Sequence, residues 1–244
     1  MKFTRKFKKS YAKRFVLGDH IRTSNFYDAD CVAVFPEIKL CFNRIKKSGN
    51  TSTVGFLSDV CNYTRSPTTE QMKTQVTCVR TMTIKQLRAT LGYHSLTVAR
   101  DPYSRTLSAF LDKVARGAYS ELACVPGYGD RTVSGFHQFL DFLLAGGTRY
   151  DRHFWPQTDL LFQPIERFDC VARLENLHND LSAFLLKIGV HESRIQDMRT
   201  PHEMEQSERG KVTNAAQRMA KFYNEEARTK VAQIYHSDFA AFGY

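Results

Sequence analysis

Four short β-rich runs set between helix-forming stretches constrain this chain more than any other feature. Residues 31–36 and 39–45 read as strands, rich in Val, Phe, Leu and Ile. Residues 95–100 form a third run and 169–174 a fourth. The second and third each pass straight into a polar turn and then a helix pattern, over 51–63 and from Pro102 onward. Asp101 caps the later helix, Pro102 fits its first turn, and Leu107, Phe110, Leu111 and Val114 give it an apolar stripe. Further helix patterns cover 83–91, 135–145, 176–188, 212–224 and 226–236, with loops at 64–82 and 117–133. Strands alternating with helices predict an α/β fold on a central, mainly parallel sheet.

Composition narrows the class of partner. The 244 residues fit one large domain, and 42% hydrophobic with 25% charged residues excludes wholesale disorder. No apolar run approaches the roughly 18 residues of a membrane span, and no secretory signal opens the chain. The formal charge is +10, yet Lys2, Arg5, Lys6, Lys8, Lys9, Lys13 and Arg14 supply seven of it, leaving +3 for the rest. Residues 1–30 therefore read as a basic extension and 31–244 as the functional domain, and the body lacks the charge of a nucleic-acid binder. Phe3, Phe7, Tyr11 and Phe15 share one helical stripe. That stripe fits packing on the protein's own body, a dimer partner, or peripheral contact with an inner membrane surface. Six scattered cysteines without a C-x-x-C pair indicate a reducing, cytoplasmic setting.

The two strand–turn–helix junctions carry the residue types that bind anions. At the first, Lys47, Ser48, Gly49, Asn50, Thr51 and Ser52 offer a cation, hydroxyls and a turn of backbone N–H groups at a helix start. Gly49 lets the backbone approach closely. This is not a Walker A loop, because the first Gly is missing and the Lys precedes the turn. Read alone, it is equally a polar linker. At the second junction, Arg100 leaves the strand and Ser108 lies two turns into the helix. Arginine's planar fork suits phosphate, although an Arg–Asp surface pair would use the same residues.

Taken in order, the motifs resemble those of the carbohydrate sulfotransferase superfamily, which includes the Golgi chondroitin and dermatan enzymes. Lys47 with Thr51-Ser52 is similar to the family's P-K-x-x-x-T-S. Arg100, Pro102, Arg105, Leu107, Ser108, Ala109, Phe110 and Lys113 are similar to V-R-x-P-x-x-R-L-x-S-A-[FY]-x-x-K. His153-Phe154-Trp155-Pro156-Gln157 resembles H-W-x-P-Q, and 168–177 resembles F-D-x-V-x-R-x-E-x-L. Residues 235–244 match Y-x-x-D-F-x-x-F-x-Y. Lys46 stands where the family has Pro, the aromatic after His153 is Phe, and the cysteines flanking the P-Q segment in Golgi relatives are absent. With no membrane anchor ahead of the domain, these departures indicate a soluble, bacterial relative.

The resemblance implies a three-layer, P-loop-like sulfotransferase domain and a 3′-phosphoadenosine 5′-phosphosulfate (PAPS) donor, released as PAP, without a metal. It implies that Lys47, Ser48, Gly49, Asn50, Thr51 and Ser52 cradle the 5′-phosphosulfate, and that Arg100 and Ser108 hold the 3′-phosphate. Lys47 would stabilise the transition state. The family suggests a hydroxyl on a polysaccharide or glycolipid as acceptor, with a small hydroxylated metabolite as the alternative. Arg149 and Arg152 are candidates to meet an anionic glycan and 207–211 to close over the nucleotide, although solvated surface side chains and a solvated polar loop fit the same residues. Among eight histidines, His153 is the favoured general base, with Asp151 or Glu175 as alternatives. Two other classes compete with this reading. One is an ATP-dependent kinase using the phosphate loop; the other is a non-catalytic protein docking anionic membrane or nucleic acid through residues 1–15.

Overall fold

A computed structural model describes residue 10 and residues 17–28, 31–63, 75–196 and 213–244. The stripe at 3–15, the segment 207–211 and His202 lie outside these described residues. The described chain falls into two compact units, the first within 1–45, 49–99 and 160–208, the second within 46–48, 100–159 and 209–244.

The first unit is built on the sheet. Strands β1 (Val32–Phe35), β2 (Leu40–Asn43), β3 (His94–Ala99) and β4 (Cys170–Arg173) lie in sequence order. Only a single turn, Pro36–Ile38 with Lys39 left-handed at φ +48°, separates β1 from β2. So short a link can only reverse the chain, and β1 pairs antiparallel with β2, Val32 opposite Asn43. β2–β3 and β3–β4 are parallel, Asn43 facing Thr97 and Ala99 facing Arg173. Between β2 and β3 run helices α2 (Asn50–Val60) and α3 (Ile84–Ala89), α3 starting at a Thr83–Gln86 capping box. Ala33, Phe35, Leu40, Phe42, Leu96 and Val98 share one face by strand alternation. They pack with Val54 and Leu57 of α2 and with Leu181 and Leu185 of α6 (Leu177–Lys187).

The opposite face is buried as well, which explains why the strands read as near-continuous apolar runs. Asn43, Thr97 and Ser95 are buried polar residues of this face, and Asn43 is satisfied: it donates to the Leu160 carbonyl at 3.2 Å and accepts from Phe162 N–H at 2.7 Å. Residues 17–28 belong to this unit too, through the short helix α1 (Thr23–Phe26). Asn25 donates to the Leu161 carbonyl at 2.9 Å, and Leu17, Phe26 and Tyr27 are buried.

The second unit is helical around an aromatic core. Helix α4 (Pro102–Ala109) begins as its sequence requires, Asp101 accepting from the N–H groups of Tyr103 and Ser104. It continues into a π-helical turn, Phe110–Val114, closed by Ala115 N–H to the Phe110 carbonyl at 2.8 Å. Helices α5 (Val133–Leu144), α8 (Ala215–Phe222), α9 (Glu225–Ile234) and α10 (His236–Phe242) complete the unit. Phe110 lies at its centre, 5.3 Å from Phe136 and 5.6 Å from Phe139 between ring centroids. The connection after α6 carries α7 (Glu192–Gln196) in the first unit. Among the described residues, no helix is long and apolar enough to cross a membrane.

Candidate active site

The second unit gathers Lys47, Ser48, Arg100, Ser108 and His153, five of the residues singled out from sequence. Lys47 is held at both ends. Its backbone is left-handed at φ +67°, a conformation that costs a non-glycine residue roughly 1–2 kcal/mol. The Arg100 guanidinium offsets that strain by donating to the Lys47 carbonyl at 3.0 Å. The ammonium sits 2.9 Å from Asp112 Oδ2. Burial pushes the Lys47 ammonium below its ordinary value; Asp112 opposes the shift, while Arg100 and Lys113 add to it.

Asp112 is the centre of a charged cluster that sequence reasoning did not single out. Lys113 lies 3.5 Å from Oδ2 and Arg116 3.6 Å from Oδ1. Burial raises the Asp112 carboxyl, but Lys47, Lys113 and His153 outweigh it and hold the acid below the usual range. His153 sits in the same field, with its Nδ1 2.6 Å from Asp151 Oδ1. Asp151 also accepts from His153 N–H at 2.7 Å, which fixes the ring's root. An ionised Asp151 requires the proton on Nδ1 and leaves Nε2 as the basic atom. Burial lowers the His153 value, Asp151 opposes the drop, and Lys113 and Lys46 reinforce it.

Gln157, wholly buried, ties Ser48 of the first strand–turn–helix junction to Arg100 of the second. Its Oε1 accepts from Ser48 Oγ and from Arg100 N–H, both at 3.0 Å, and its Nε2 donates to the Arg100 carbonyl at 2.8 Å. The loop carrying Gln157 is itself fastened by the C-terminal motif. Asp238 accepts from Gln157 N–H at 2.8 Å and Thr158 N–H at 3.0 Å, and Tyr235 donates to the Phe154 carbonyl at 2.7 Å. Arg105, almost wholly buried, donates to the Lys46 carbonyl at 2.9 Å. Residues 46–48, 100–105, 154–158 and 235–238, drawn from four of the sequence motifs, are therefore one hydrogen-bonded assembly in the second unit. Gln157→Leu should cost about 2–4 kcal/mol in urea unfolding, because it strands buried partners on Ser48 and Arg100. A wild-type midpoint would deny Gln157 that bracing role.

The remaining predicted residues occupy different places. Arg100 Nε donates to Ser104 Oγ at 3.0 Å, and Ser108, one turn further along α4, lies 3.1 Å from Thr213 Oγ1. Ser104, not singled out from sequence, thus shares Ser108's face. Gly49, Asn50, Thr51 and Ser52 belong to the first unit. Gly49 caps α2 at φ +66°, and a Cβ there would run into the Leu174 side chain. Arg44 donates to Asn50 Oδ1 at 2.8 Å. Arg149 pairs with Asp159 at 2.8 Å and lies over the Trp155 ring, as does Arg152. His94 is the first residue of β3 and lines a cavity of about 370 Å³ with His20, Ser95 and Asp169, in the first unit.

The Sulfotransferase family matches residues 31–244, nearly the whole chain and every motif described above. The chain belongs to the sulfotransferase family. It is accordingly a transferase of sulfuryl groups built on an α/β fold, with a hydroxylated acceptor implied. No curated protein and no solved structure matches it.

Proposed function

We propose that this sulfotransferase moves a sulfuryl group from PAPS to a hydroxyl of a carbohydrate, a polysaccharide or glycolipid, by in-line transfer. The observation that carries the reading is a largely buried lysine, Lys47, in one charged cluster with an Asp151-oriented imidazole, His153. Sulfuryl transfer needs a cation where charge grows on the leaving bridging oxygen and a base for the acceptor proton. Lys47 supplies the first. His153 Nε2 supplies the second, taking the hydroxyl proton while Asp151 stabilises the imidazolium that forms.

Lys47, Ser48, Gly49, Asn50, Thr51 and Ser52 cradle the 5′-phosphosulfate in this reading, and Arg100 with Ser108 holds the 3′-phosphate. The transferred group carries one negative charge, less than a phosphoryl group, so Lys47 can serve without a metal. In this reading the catalytic domain spans 31–244 and the basic extension 1–30, whose residues 17–28 pack into the first unit. Transfer of labelled sulfate from PAPS to a polysaccharide acceptor tests the reading against ATP with Mg²⁺ in the same assay. Phosphoryl transfer from ATP would overturn it in favour of a kinase.

The donor assignment has its own test. Arg100→Ala should weaken PAP binding by about 1.5–3 kcal/mol, as for one charged hydrogen-bonded contact. Unchanged affinity by calorimetry would remove Arg100 from the 3′-phosphate.

A further inference from the structure

Lys47 has an arrangement that the transfer chemistry alone does not demand. An ammonium with 15% of its side chain exposed loses most of its hydration, and without a counter-charge this is costly. Two of the charged groups that act on it are cations. Arg100 comes from the chain after β3 and Lys113 from the π-helical turn. Arg116, two residues beyond that turn, and His153, from the 151–157 loop, act on Asp112. Asp151 is committed to the His153 ring and backbone. Among the described residues, Asp112 is the acid paired with Lys47.

The backbone is shaped to place it. The π-helical turn Phe110–Val114 interrupts the regular α-helical spacing at the residues that include Asp112 and Lys113. Such wide turns are rare, and they collect at functional sites. Phe110, Leu111 and Val114 stay buried in the core on either side of Asp112. The turn thereby keeps the apolar stripe inward while carrying the carboxylate to 2.9 Å from Lys47.

We propose that Asp112 is a positioning residue for the sulfuryl-transfer step, a fixed counter-ion that holds the Lys47 ammonium in place for the leaving oxygen. This rests on the sulfotransferase reading of Lys47 above. Lysine has a flexible four-carbon stem, and a bound carboxylate removes most of its freedom before the donor arrives. It also keeps the ammonium charged among its cationic neighbours. Lys47 acts only when protonated, so activity is present below its pKa and lost as pH rises through it. Asp112 raises that pKa against burial, Arg100 and Lys113. Removing the carboxylate therefore brings the alkaline limb of the pH–rate profile down.

The test compares Asp112→Asn and Asp112→Glu in the full-length chain, with PAPS as donor. Asp112→Asn should lower kcat about 10²-fold near pH 8 and move the alkaline limb down by about one pH unit or more. Asp112→Glu, which keeps the charge but shifts it, should lose rate with the limb left in place. A second readout needs no turnover: the ¹³Cε resonance of Lys47, assigned against Lys47→Met, titrates with its ammonium. It should move to lower pH in Asp112→Asn. An unmoved limb and an unmoved Lys47 titration would overturn the proposal. Absence of any sulfuryl transfer by the wild type would instead overturn the functional reading, and the NMR titration would still decide whether Asp112 holds Lys47. Should Asp112→Asn not fold, the wild-type titration decides, since Lys47 must respond as Asp112 takes up a proton in acid.

Discussion

Lys47→Ala should lower kcat by about 10³-fold while changing PAP affinity by no more than about tenfold. The split follows from where charge appears. In the proposed donor complex, the bridging oxygen carries little charge and the phosphates draw on Arg100, Ser108 and the turn's N–H groups. As the sulfur–oxygen bond lengthens, negative charge builds on that oxygen, and a cation there favours the transition state over the ground state. Removing one preorganised donor at such a position costs about 10²–10³-fold, and a full charge in a water-poor site sits at the upper end or beyond. The fold should survive the change. Asp112 keeps Lys113 at 3.5 Å and Arg116 at 3.6 Å, so its carboxylate is not left without counter-charge. Steady-state kinetics beside calorimetry with PAP separates the two effects. Full turnover in the mutant would refute the role, and a loss confined to nucleotide affinity would make Lys47 a binding residue only.

The sheet and the flanks of the site were open to sequence reasoning because they depend on local patterns. β-Branched and aromatic runs bounded by Pro, Gly and polar turns place β1 to β4 within a residue or two. The Asp101–Pro102 start is realised as an N-cap with two hydrogen bonds. Where the boundaries differ, caps decide. Helix α5 begins at Val133 rather than 135 because Thr132 accepts from Gly135 N–H, and α2 begins at Asn50 because Gly49 adopts φ +66°. Helix α10 was hidden inside the 235–244 motif, and its Asp238 holds the Gln157 loop.

The charged cluster was illegible for a different reason. Leu107, Phe110, Leu111 and Val114 keep the same spacing whether the turn is α or π, so periodicity cannot reveal that Asp112 is carried against Lys47. A left-handed lysine also has no sequence signal, since glycine is the residue that advertises that conformation. Asp112 and Gln157 act on partners 65 and 109 residues away in the chain. Only the fold brings such pairs together. The one local hint was the charge run Asp112-Lys113 followed by Arg116, set directly against an apolar stripe.

His153→Ala should reduce the transfer rate by about 10²–10⁴-fold, the range for loss of a general base, with PAP affinity intact. The geometry favours His153 over its competitors. Asp151 is already engaged twice by His153, and although burial raises its carboxyl, those two hydrogen bonds hold it below the ordinary value. A carboxylate so stabilised is a poor proton acceptor and a good orienting group. Glu175 belongs to the first unit. His153 is 24% exposed, and burial with Lys113 and Lys46 depresses its value despite Asp151. The base must be neutral to act, so activity is full above its pKa and falls as pH drops through it. A depressed value places that acidic limb below the ordinary histidine value of about 6.5. In the wild type the limb should therefore lie on the acid side of that value, and in His153→Ala it should disappear with the rate. A mutant that keeps near-normal turnover and the same limb would pass the role to a carboxylate, Asp151 first.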